Sequence, residues 1–172
     1  MNNILLKSKI KEGLFNHFPV EEINSCFAYG SAVIPQIGNK GKMTDLFFIC
    51  NDIKIFHEKN MKMNESHYSS VSKIGKLNSL VKLNKFGSGV YYNPSVKIKS
   101  FGEEMLIKYG TVSLSDFVLH LRKWDNLFLA GRFHKPVLSV ISQNDEVENA
   151  IKFNRERAVI IYNLVYFVCF KK

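Results

Sequence analysis

The chain has 172 residues, a formal net charge of +9, 46% hydrophobic and 13% aromatic residues, and three cysteines. That apolar share excludes a disordered chain, and Cys26, Cys50 and Cys169 lack the paired spacing of a disulfide scaffold or a zinc ribbon. No run approaches the roughly 18–20 apolar residues of a bilayer span, so the sequence predicts no transmembrane segment. Only four of the 24 basic residues are arginines (Arg122, Arg132, Arg155, Arg157), which argues against a dedicated nucleic-acid surface built on guanidinium forks. The length suits one ordinary domain, or one domain with part of another.

In chain order, Leu14, Phe15 and Phe18 share a face of a short amphipathic helix ending before Pro19. The lysine-bearing, acid-poor segment before Glu12 also admits a cleaved mitochondrial presequence. Cys26 to Tyr29 predicts a short strand broken by Gly30-Ser31, and Thr44 to Cys50 a buried strand. The stretch from Asp52 to Tyr68 is mixed. Val71, Ile74, Leu77 and Val81 recur at helical spacing. Val90-Tyr91-Tyr92 reads as a strand stopped by Asn93-Pro94, and Glu104 to Val112 as another. From Ser113 the pattern turns helical: Ser115-Asp116 can cap a helix bearing Phe117, Leu121 and Trp124, and a further helix starts near Asp145.

Between Ser66 and Gly102 there is no acid, while Lys73, Lys76, Lys82, Lys85, Lys97 and Lys99 fall inside. This is either a solvated lysine face or a positive wall beside phosphate or an anionic membrane surface.

The chemistry lies at the two early strands. A strand ending in Gly-Ser, followed about fourteen residues later by a strand with an early Asp, is the skeleton of a nucleotidyltransferase site. Gly30 lets the backbone approach a triphosphate, and the Ser31 amide and hydroxyl can donate to its oxygens. Asp45 would hold a divalent metal. Phe47 occupies the position where a second carboxylate commonly stands. Asp52, about 20 Å further along an extended strand, is a poor substitute. Glu103 or Glu104 is left as the acid that could approach across the sheet. Lys108 sits in an apolar strand where a charge is costly without an anion to meet.

The blocks Phe27-Ala28-Tyr29-Gly30-Ser31-Ala32-Val33 with Pro35-Gln36, Asp45-Leu46-Phe47-Phe48, Asn60 and Ser66-His67-Tyr68-Ser69 follow in order. Gly89 to Asn93, Ile107 to Val112, Trp124 to Leu127 and Ala130 to Val137 come after them. Together they resemble the mitochondrial phosphatidate cytidylyltransferases, the translocator assembly and maintenance family, over roughly Ser25 to Ala158, with agreement fading after about Arg157. The resemblance implies an α/β (α+β) nucleotidyltransferase-type mixed sheet with flanking helices over residues 1–112. Residues 113–172 would begin a helical, winged-helix-like second domain that is incomplete here.

It further implies the reaction of CTP with phosphatidate to CDP-diacylglycerol and pyrophosphate, in cardiolipin and phospholipid synthesis, with Mg²⁺. The enzyme would lie peripherally on the matrix side of the mitochondrial inner membrane. Asp45 and Lys108 would be catalytic, with Asp45 on the metal. Tyr29, Gly30, Ser31, Lys108, His67 and Tyr68 would meet the nucleotide, although His67 and Tyr68 suit buried structural roles as well. Arg132 and Lys135 would meet substrate phosphate. CTP, phosphatidate and an anionic membrane surface are the expected partners, with no nucleic acid. The alternative is a non-catalytic module that binds nucleotide or anionic lipid.

Overall fold

A computed structural model describes residues 3–34, 43–68, 89–142 and 144–170. The helical spacing from Val71 to Val81, Lys73, Lys76, Lys82 and Lys85, and Pro35-Gln36 lie outside the described residues. The elements are α1 (Asn3–His17), β1 (Ile23–Tyr29), β2 (Thr44–Cys50), α2 (Ile53–Met63), β3 (Tyr91–Ser100) and β4 (Glu103–Ser113). They continue with α3 (Leu114–Lys123), α4 (Leu127–His134), β5 (Leu138–Ser142) and α5 (Asp145–Phe170). The strands form one mixed sheet in the order β3-β4-β2-β1-β5, with β2 and β4 parallel and the other pairs antiparallel. The α/β class with flanking helices is as the sequence predicted.

Strand alternation sends successive side chains to opposite faces, and each face buries its own apolar set. On one face Cys26, Ala28, Leu46, Phe48 and Tyr109 pack beneath Leu6, Ile10, Leu14 and Phe18. On the other, Phe27, Phe47, Ile49 and Val112 pack against Phe117, Leu121, Phe133, Val147 and Ile151 from α3, α4 and α5. β1 lies between two strands with both faces covered, so all seven of its residues are buried. The packing face of α1 differs from the one expected: Leu14 and Phe18 are buried, whereas Phe15 is exposed.

Three sequence expectations are corrected here. The strand expected to stop at Asn93-Pro94 runs on to Ser100, because the pairing with β4 shifts register between Asn93 and Val96. Ser95 takes a left-handed backbone (φ 56) at this bulge. A proline with no N–H is tolerated because β3 is an edge strand. The cap of α3 is Ser113 rather than Ser115: its hydroxyl accepts from the Asp116 amide and donates to the Asp116 carboxylate. Within the stretch read as mixed, Asp52 accepts from the Lys54 and Ile55 amides and so starts α2. β5, in the segment expected to be helical, pairs with β1, so residues on both sides of position 113 build one sheet.

Asn154, fully buried on α5, ties the three later helices together. It accepts from Trp124 Nε1 at 2.7 Å, bonds His134 Nε2 at 3.1 Å and donates to the Ala130 carbonyl at 3.0 Å. Asn154→Leu keeps the volume but strands these buried polar partners, so it is expected to cost roughly 3 kcal/mol. Urea unfolding checks this, and a loss below about 1 kcal/mol contradicts the role. Beyond this residue α5 leaves Val159, Ile160, Leu164, Phe167 and Val168 exposed.

Candidate active site

The register of the sheet assembles the site. Tyr29 at the end of β1 pairs with Asp45 at the start of β2, and Asp45 pairs with Lys108 in mid-β4. All three therefore stand side by side, on the face covered by α3, α4 and α5. Arg132, in the last turn of α4, reaches the same group: its guanidinium carbon lies 4.4 Å from the centre of the Tyr29 ring. Lys108 Nζ stands 4.7 Å from the ring centre of Tyr92 on β3. Burial raises the Asp45 carboxyl above its ordinary range, and Lys108 and Arg132 oppose that rise. A half-buried acid facing two cations is poised to share an anionic ligand with them.

The turn after β1 is shaped for close approach. Gly30 has φ +76, and a Cβ there would lie 2.9 Å from Asp45 Oδ2, so only glycine leaves the carboxylate its place. Residues 30–32 form a short helical turn. Gly30, Ser31 and Ile34 then line a cleft of about 240 Å³ whose other wall is Arg132, Lys135 and Pro136. Arg132 Nε is buried without a hydrogen-bond partner, a donor that an anion oxygen entering the cleft would satisfy. Tyr29, Gly30, Ser31, Asp45, Lys108, Arg132 and Lys135, all expected at the site from sequence, are thus brought to one end of one sheet face.

His67 and Tyr68 are not brought there. They lie on the opposite face, in a buried network with Tyr109. Tyr68 Oη meets His57 Nδ1 at 2.9 Å and accepts from Asn60 Nδ2 at 2.8 Å. Tyr109 Oη accepts from Asn60 at 2.9 Å and meets His67 Nδ1 at 3.2 Å. The sequence admitted this structural role beside the nucleotide one, and the contacts are those of the structural role.

Burial lowers His57 from 6.5 to about 4, and His67 in the same direction to about 4. An unfolded chain takes up these protons near pH 6.5, whereas the native state resists until about pH 4. The unfolded state therefore binds more protons in that window, and stability falls as pH drops through it. From His57 the loss between neutral pH and about pH 5 is expected to be near 2 kcal/mol. Urea unfolding at the two pH values reads it, and removing His57 should reduce the difference by about that amount, leaving the part that His67 contributes.

The acids expected as partners for Asp45 are placed elsewhere. Glu103 pairs with Lys9 and Glu104 with Lys97, several residues along β4 from Lys108. Asp52 caps α2. Among the described residues no group of three His, Cys, Asp or Glu side chains could hold a metal by itself. Of the acid-free stretch, Lys97 and Lys99 fall within the description: Lys97 meets Glu104, and Lys99 is registered opposite it. Tyr92 is the residue that sequence reasoning missed. Its pairing partner Gly110 was the available signal, because a glycine in mid-strand often marks close approach by a large neighbour.

A glycine turn, one strand-borne carboxylate and cations gathered beside a small cleft form an arrangement able to meet a phosphate-bearing ligand. The family model described as "Phosphatidate cytidylyltransferase, mitochondrial" matches residues 11–168, and the chain belongs to that family. The Homo sapiens protein of that name is 38% identical over 152 residues, covering 85% of this chain and 32% of its own length. The Mus musculus protein is 39% identical over 136 residues, covering 76% of this chain and 38% of its own. The Xenopus laevis protein is 35% identical over 153 residues, covering 85% and 44%. The chain thus spans less than half the length of these curated relatives. No helix among the described residues is long and apolar enough to cross a membrane.

Proposed function

We propose that this protein carries out cytidylyl transfer, converting CTP and phosphatidate to CDP-diacylglycerol and pyrophosphate. The observation that carries the reading is the placement of Asp45 between Lys108 and Arg132, against the Gly30 turn, in a member of this family. A phosphate oxygen of phosphatidate attacks the α-phosphorus of CTP. The new P–O bond forms as the bond to the β-phosphate oxygen breaks, and pyrophosphate departs with that electron pair. The nucleophile is already anionic, so positioning and charge stabilisation supply most of the acceleration. Gly30 and Ser31 admit and cradle the triphosphate, Lys108 meets its charge from β4, and Arg132 and Lys135 meet phosphate at the cleft wall.

Mg²⁺ fits this site. Asp45 would hold it through a desolvated carboxylate oxygen, and the glycine turn leaves space beside that oxygen; nucleotide phosphates and water would have to supply the remaining ligands. When bound it neutralises phosphate charge at the reacting centre. The relatives' printed names are mitochondrial, which supports a mitochondrial place; within it we propose the matrix side of the inner membrane, with the protein held peripherally against anionic lipid. The test is incubation with phosphatidate vesicles, CTP and Mg²⁺, with CDP-diacylglycerol read by mass spectrometry. Pyrophosphate release matched by CDP-diacylglycerol supports the proposal. Tight CTP binding with neither product supports a nucleotide-binding module instead.

A further inference from the structure

The two cations beside Asp45 each rest on a tyrosine ring, and both tyrosines border one phenylalanine. Arg132 lies on Tyr29 and Lys108 on Tyr92, at 4.4 and 4.7 Å from the ring centres. The two phenols lie close enough to influence each other's ionisation. Tyr29 belongs to β1 and Tyr92 to β3, with β2 and β4 between them. Both rings border Phe47 on β2, at 6.4 and 6.5 Å between ring centres. Gly110, registered opposite both Phe47 and Tyr92, makes the space: a Cβ there would fall 2.6 Å from Tyr92 Cε1 and 2.9 Å from its Cζ. Burial pushes both phenols upward, so they remain neutral hydroxyls.

We infer that Tyr92 is a positioning residue: its ring seats Lys108 while, across Phe47, the Tyr29 ring seats Arg132, so that both cations face one polyphosphate chain. A lysine on a four-carbon stem has many rotamers, and seating its ammonium on an aromatic face selects among them. On the other side of Phe47 the Tyr29 ring supports Arg132, whose buried Nε is a donor for the same anion. With one carboxylate at the site, a fixed pair of cations carries much of the charge complementarity. The inference rests on the cytidylyl-transfer reading for the identity of the nucleotide, but not for the polyphosphate.

The test is calorimetric titration of the protein with metal-free inorganic tripolyphosphate, using Y92F, Y92L, K108A and the paired variants, with thermal unfolding alongside. Y92L is expected to weaken binding roughly tenfold. Y92F, which keeps the ring under Lys108, is expected to weaken it about threefold. Adding Y92L to K108A should cost little more than K108A alone, a coupling that a merely structural tyrosine would not show. Additive losses overturn the inference, as does a wild-type protein that does not bind tripolyphosphate. If Y92L does not fold, the Y92F and K108A cycle decides the same question. Coupled binding in a preparation that forms no CDP-diacylglycerol upholds the inference and removes the cytidylyl-transfer reading.

Discussion

Asp45→Asn is expected to reduce CDP-diacylglycerol formation by roughly a thousandfold while leaving the sheet intact. Asp45 is partly buried at the start of β2, where its neighbours in register are Tyr29 and Lys108. Burial opposes its ionisation, and the two nearby cations favour it. A residue in that balance contributes little net stability, because desolvation offsets much of the Coulomb gain. Asparagine preserves the shape and removes the charge that a magnesium ion requires. Thermal midpoints should therefore agree within a few degrees while product formation collapses. Turnover within threefold of the parent protein would remove Asp45 from the mechanism.

Gly30→Ala carries the second large effect, and its cause can be separated into two parts. Alanine in a left-handed backbone costs on the order of 1–2 kcal/mol. Its methyl would also arrive 2.9 Å from Asp45 Oδ2, so the carboxylate must move. Gly102 offers the control: its φ is +79, yet a Cβ there meets nothing within 4 Å. Gly102→Ala is expected to show the backbone cost alone, with activity retained. Gly30→Ala should show a similar loss of stability and about a hundredfold loss of kcat/KM. Equal activities in the two variants would mean that the approach of Gly30 to Asp45 has no part in the chemistry.

Those two glycines look alike in the sequence, and the difference between them marks how far reading residues can go. β1, β2 and β4 are legible because each is a short apolar run bounded by turn residues, and Asp45 and Lys108 stand out as charges inside such runs. β5 is not legible. Leu138-Ser139-Val140-Ile141-Ser142 is short, half-exposed and preceded by two helices, and only the open edge of β1 gives it a place. The continuation of β3 past Pro94 is hidden for a related reason, since a proline is permitted only because the strand lies at the edge. The site divides in the same way. Gly30, Ser31 and Asp45 sit close in sequence and announce themselves, whereas the seating of Tyr92 and Tyr29 on either side of Phe47 depends on two intervening strands. His67 and Tyr68 occur in one of the family-like blocks, but which face they occupy is decided by packing against Tyr109.

The late position of β5 also governs when the molecule can become itself. β1 emerges early in synthesis, yet its second neighbour is not available until residue 142 has been made. Until then β1, with its apolar Cys26-Phe27-Ala28-Tyr29 run, offers an unpaired edge to any other strand it meets. Pairing between such distant segments is slow, because loop closure must precede the contacts that reward it. The nascent chain thus passes through a period in which its most buried strand is its most adhesive one. A chain interrupted before Leu138 would remain in that condition permanently.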